Sequence, residues 1–113
     1  MNFDKNLIGS SSEMLLLSLL VGQDMYGYQM IKELKARSDD SFDFKEGTLY
    51  PVLHKMESKG LVRSYEQTAE NGRSRTYYAI TDEGRGKYRK QLAQWEEFSR
   101  SVDKVISAQP AMA

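Results

Sequence analysis

From Met14 to Leu20 every position except Ser18 is apolar, which predicts a helix covered on several sides rather than one lying half in water. Ser10, Ser11 and Ser12 ahead of Glu13 offer N-cap side chains, leaving Met1 to Gly9 as a short lead, and Gly22 ends the run. Asp24 is placed to cap a second helix, in which Tyr28, Ile31 and Leu34 form a buried stripe while Lys32, Glu33, Lys35 and Arg37 face water. Ser38 to Ser41 reads as a turn, with Phe42 and Phe44 as anchors beneath it. A third helix runs from about Lys45 to Lys59. Leu49, Val52, Leu53 and Met56 recur on it at i, i+3, i+4 and i+7 and share one face. The opposite face carries Gly47, Pro51, His54, Lys55 and Ser58, flanked by Thr48 and Tyr50. Pro51 is tolerated only near a helix start, and Gly60 suits the C-terminal cap. Leu61 to Glu66 and Thr76 to Ile80 are rich in β-branched and aromatic residues and read as strands. Asn71-Gly72 between them favours a tight hairpin turn.

Thr81 with Glu83 and Gly84 opens a last helix that reaches about Ser107, after which Ala108 to Ala113, with Pro110, is expected to fray. Along this helix Tyr88, Leu92, Trp95, Val102 and Ile106 fall at steps of 4, 3, 7 and 4, a spacing near 3.5, with Ser99 in the missing position and Phe98 beside it. A stripe this long, after a finished small domain, needs a second surface. The same helix of another copy supplies it most economically, as a two-fold homodimer.

A chain of 113 residues is expected to form one modest core. There is no cysteine and a single histidine, so disulfides, thiolate metal sites and clustered imidazole ligation are excluded. The apolar stretch from Met14 to Val21 is too short for the ~20 residues that span a bilayer, and no secretory signal pattern is present. A cytoplasmic protein without membrane contact is expected. Sixteen basic and 16 acidic groups cancel, which at face value argues against a nucleic-acid partner. Their distribution reverses the argument. Residues 1–44 carry 4 basic and 7 acidic groups, whereas residues 45–80 carry 6 and 4. The positive excess sits on the third helix and the hairpin, and phosphate neutralisation needs a local face rather than a basic whole. The excess is small, and two copies on one site would double the contacts.

A helix with a polar, basic outer face followed by a basic hairpin, Asn71-Gly72-Arg73-Ser74-Arg75, is the layout of a winged helix. The expected fold class is mainly α with a two-stranded β-wing: a winged helix-turn-helix over residues 1–80 and a C-terminal dimerisation helix over residues 81–107. Lys55, beside His54 on the outer face that Pro51 shares, would make a base or phosphate contact as this helix reads the major groove, and Lys59 at the helix end would meet phosphate or solvent. Arg73 and Arg75 would reach the minor groove or flanking phosphates of double-stranded DNA. A protein-interaction module using the same helix face is the alternative. His54 has no nucleophile with an orienting carboxylate around it, and no phosphate-cradling Gly-x-x-x-x-Gly-Lys motif exists. An enzyme is not expected, nor a metal or cofactor.

Tyr26-Gly27-Tyr28, the run from Glu46 to Val62, Gly72 to Tyr78 and Thr81-Asp82-Glu83-Gly84 stand in the order and spacing of one family. Through them the chain resembles the PadR family of bacterial transcriptional regulators, in its short branch with a single C-terminal helix, over Ser12 to Ile106. The resemblance implies that Thr48 and Tyr50, and also Tyr26 and Gln29, lie against the DNA backbone, and that the protein is a repressor of efflux or detoxification genes released by a small aromatic effector. In short, multidrug-responsive members a tryptophan of the last helix lines a pore at the dimer centre and stacks on flat aromatic ligands. Here Trp95 lies seven residues before Val102-Asp103-Lys104, about one turn earlier than in those relatives. That keeps the face and changes the depth of the pore.

Overall fold

The structure, a computed structural model, describes residues 3–108. In chain order it runs α1 (Lys5–Gly22), β1 (Met25–Tyr26), α2 (Gly27–Arg37), α3 (Glu46–Ser58), β2 (Val62–Thr68), β3 (Ser74–Ile80) and α4 (Asp82–Ser107). The strands form an antiparallel sheet in the order β1-β3-β2. The fold is mainly helical, with one strand more than the two expected. Met25 pairs with Tyr78 and Tyr26 with Tyr77, and a two-residue strand is too short to show a period in sequence.

The leucine-rich segment of α1 is the hub of the core. Leu16, Leu17, Leu19 and Leu20 are all buried, and they share one cluster with Met30 and Leu34 of α2, Leu49, Leu53 and Met56 of α3, and Tyr78 of β3. The helix starts earlier than the serines suggest. Asp4 caps it, its Oδ1 accepting from the Asn6 N–H at 2.8 Å. Ser12 lies buried inside the helix and donates its hydroxyl to the Ile8 carbonyl at 2.7 Å. In α2 the buried face is Gly27, Met30 and Leu34, not one that includes Tyr28. Tyr28 is exposed, with the Lys32 ammonium 5.5 Å from its ring centre. Nor does Asp24 cap α2: the N-cap position is Tyr26, without a side-chain acceptor.

The α3 face read from sequence is the buried one, with Leu49, Leu53 and Met56 at most 1% exposed. Its end is a left-handed cap: Gly60 has φ +77°, the Leu61 N–H donates to the Met56 carbonyl and the Gly60 N–H to that of Glu57. The hairpin strands are in register from Val62↔Ile80 to Thr68↔Ser74, longer than expected at the tip. Only Gly72 of the Asn71-Gly72 pair takes a positive φ. The Gly72 N–H donates to the Ala69 carbonyl and the Ala69 N–H to that of Arg73, the three-residue connection in which a type I turn ends in a left-handed residue. Thr81 caps α4 by accepting from the Gly84 N–H at 3.0 Å, and its own hydroxyl donates to the Gly60 carbonyl at 2.6 Å. The tail expected to fray lies outside the described residues beyond Ala108. Among the described residues no helix is long and apolar enough to cross a membrane, and no group of three or more His, Asp or Glu side chains could hold a metal ion.

Candidate nucleic-acid interface

Burying Leu49, Leu53 and Met56 forces the other side of α3 outward. Gly47, Thr48, Pro51, His54, Lys55 and Ser58 are all exposed there. The side is narrow and polar, with Gly47 and Pro51 keeping its first turns low, so another polymer can approach the backbone closely. Lys59, at the end of the helix, is exposed and carries an ion pair to α1. Its ammonium lies 3.2 Å from Glu13 Oε1 on α1, while Glu13 Oε2 accepts from Gln91 of α4 at 2.7 Å. Lys55 is therefore the lysine of this helix whose charge remains directed outward.

Tyr50 joins this helix to its neighbour. The ring is half-buried, its centre 6.3 Å from that of His54, and its hydroxyl end lies where a side chain on Gly27 would be. Gly27 opens α2 next to Tyr26, whose ring carries the Arg75 guanidinium 4.5 Å from its centre. Gln29, the third residue of α2, is half-buried. Thus α3, the start of α2 and the wing are joined by one run of contacts, in the order His54, Tyr50, the buried Gly27, Tyr26, Arg75. Arg73 stands exposed at the hairpin tip, where its own N–H donates to the Asn71 side-chain oxygen at 3.0 Å.

Sequence reasoning missed the aromatic ladder behind the wing. Tyr26, Tyr77 and Tyr65 lie in line across the three strands, because Tyr26 pairs with Tyr77 and Tyr77 with Tyr65. Tyr26 meets Tyr77 edge-on at 5.4 Å, and Tyr77 stacks on Tyr65 at 5.7 Å. The Tyr65 hydroxyl donates to Asp24 Oδ2 at 2.7 Å, a bond that raises the phenol above its ordinary value of 10.0 and keeps it the donor. Arg63 lies 5.6 Å from the Tyr65 ring centre. Alternation within Arg63-Ser64-Tyr65 and Arg75-Thr76-Tyr77 was the available signal. Joining the two strands to Tyr26 required β1.

The α4 residues divide. Tyr88 and Leu92 are half-buried, Tyr88 against the core of its own chain. Trp95, Phe98, Val102 and Ile106 are 45%, 62%, 36% and 57% exposed, and Val105, absent from the expected stripe, is 75% exposed. Trp95 also walls a cleft of about 300 Å³ whose other sides include Leu7, Met14 and Leu15 of α1 and Phe42.

Residues 16–90 match the transcriptional regulator PadR-like family. Transcriptional regulator Rv3488 of Mycobacterium tuberculosis is 35% identical over 79 residues, which cover 70% of each chain. A transcriptional regulator of Clostridium thermocellum shares the fold at a TM-score of 0.82 and 32% identity, over 90% of this chain and 96% of that one. A PadR family transcriptional regulator from Eggerthella lenta does so at 0.81 and 32%, over 92% and 88%. With its outward helix, its wing and these relatives, the chain belongs to the PadR-like family of transcriptional regulators, a family of DNA-binding proteins and not of enzymes.

Proposed function

We propose that the protein is a sequence-specific repressor that binds an inverted-repeat operator as a homodimer and is released by a small aromatic effector. The observation that carries the DNA reading is the exposed polar side of α3 together with the run of contacts that ties it to Tyr26 and Arg75. His54, Lys55 and Pro51 face base edges in the major groove. Thr48, Tyr50 and Gln29 meet the flanking backbone, and Arg73 and Arg75 meet phosphates or the minor groove. A base contact is short-ranged and sequence-dependent, whereas a phosphate contact is neither, so the two sets separate by experiment. The exposed apolar side of α4 supports the dimer, and the apolar cleft beside Trp95 supports an effector with a flat hydrophobic body.

Selection of bound duplexes from a random pool tests this directly. Recovery of a palindrome with half-sites about one helical turn, ~10 bp, or a multiple apart is the expected result. On the recovered site, Lys55→Ala should weaken binding by about 1–3 kcal/mol more than on random DNA. A pool that yields no enriched sequence, with no gel shift on random duplexes at low salt, would instead favour a winged helix that binds protein.

A further inference from the structure

Of the two arginines near the hairpin tip, Arg75 has its guanidinium stacked on a ring of the fold. It rests on the Tyr26 ring at 4.5 Å, whereas Arg73 is exposed beyond the last strand pair. Tyr26 is in turn fixed from behind. Its ring is braced edge-on by Tyr77, Tyr77 is stacked on Tyr65, and Tyr65 donates to Asp24, two residues before Tyr26 in the chain. The contacts thus close a loop that begins and ends on the same short connector between α1 and α2. Gly27, the first residue of α2, follows that connector directly, and Tyr50 of α3 packs against it. A lone arginine at a hairpin tip loses much rotamer freedom when it meets a phosphate, and a guanidinium already stacked on a ring loses less.

We propose that Tyr26, braced by Tyr77 and Tyr65, is a positioning residue that aims Arg75 at DNA, rather than a residue that contacts DNA through its hydroxyl. The assignment rests on the reading of Arg75 as a DNA contact. It makes the ladder the device that couples wing orientation to the reading helix, since Arg75 packs on Tyr26 and Tyr50 on the adjacent Gly27.

Fluorescence anisotropy on a random-sequence duplex at low salt suits the test, because the wing contact is sequence-independent. Tyr26→Leu removes the platform and should weaken binding about twofold to fivefold, the range of an exposed cation–π contact. The same substitution in an Arg75→Ala background should have no further effect. Tyr77→Phe keeps the ring and should bind as the wild type does, while Tyr77→Leu should weaken binding in the Arg75 background only. Melting temperatures measured alongside separate a loosened fold from a misaimed side chain: the cycle is scored on variants that melt within a few degrees of the wild type, and Tyr65→Phe, which removes one hydroxyl alone, replaces any that does not. Equal losses from Tyr26→Leu with and without Arg75 would overturn the proposal, as they would mean an independent contact. An Arg75→Ala variant with wild-type affinity and salt dependence would overturn the wing reading itself, and the positioning role with it.

Discussion

Two glycines show how position decides what one methyl group does. A Cβ on Gly84 would collide with the Leu61 carbonyl oxygen and come within 2.8 Å of Ile80 Cγ1. Backbone cannot move aside there, because the Leu61 carbonyl also accepts from the Thr81 N–H at the sheet–helix junction. Gly84→Ala should therefore destabilise the protein by about 1–3 kcal/mol, read by thermal melting. A Cβ on Gly27 meets instead the hydroxyl end of Tyr50, with Cζ at 2.7 Å, and a ring can swing outward. Gly27→Ala should melt closer to the wild type than Gly84→Ala but bind random and preferred duplexes more weakly, since the displaced ring is one we propose to face DNA. Equal drops in melting temperature for the two variants, with DNA affinity retained by Gly27→Ala, would remove Tyr50 from that role.

At the scale of elements, the helix–sheet junction depends on one hydroxyl. Thr81 Oγ1 accepts from the Gly84 N–H, which starts α4, and donates to the Gly60 carbonyl, which follows α3. Thr81→Ala leaves both groups without that partner and should cost about 1–2 kcal/mol in urea unfolding, while Thr81→Ser should retain most of the stability. The two helix ends at this junction were legible in sequence, because Thr81 and Gly60 are local signals, whereas the bond between them is a tertiary contact 21 residues apart. Also legible was α3, whose apolar period leaves a single choice of buried face. The errors lie where a local signal competed with a tertiary one. Three serines advertised a helix start, yet Asp4 caps α1 earlier and Ser12 satisfies itself on Ile8. Tyr28 shares a period with Ile31, but the sheet and α3 take the Gly27–Met30–Leu34 face and leave Tyr28 in water. The ladder of Tyr26, Tyr77 and Tyr65 was illegible for a third reason, since it is assembled by register between strands far apart in sequence.

The whole molecule is elongated, 65 × 29 × 21 Å, because α4, about 39 Å long at 1.5 Å per residue, outruns the domain it packs on. Its first turns are held by that domain, where Tyr88 packs against the core and Leu92 is half-buried. Further along, Trp95, Phe98, Val102 and Val105 follow one another at steps of 3, 4 and 3 and are exposed, the spacing of a helix–helix seam. We propose that these exposed positions form the dimer seam, which would then be rotated from the stripe read in sequence, the one that ran through Tyr88 and Leu92 and passed over Val105. That rotation separates folding from association. Leu92→Asp should lower the melting temperature, whereas Phe98→Asp with Val105→Asp should leave the domain folded and abolish the dimer. Full burial of each large apolar side chain contributes about 1.5–3 kcal/mol. Two such positions on each of two copies give about 6–12 kcal/mol, comparable with the ~8 kcal/mol that corresponds to micromolar association. Sedimentation velocity at micromolar concentration should show a dimer for the wild type and a monomer for the double variant. On an inverted repeat the variant should protect half-sites independently and bind with a shallower salt dependence, since each monomer neutralises only its own phosphates. A wild type that sediments as a monomer while binding a single asymmetric site would make α4 a surface for some other partner, and the two-fold operator would fall with it.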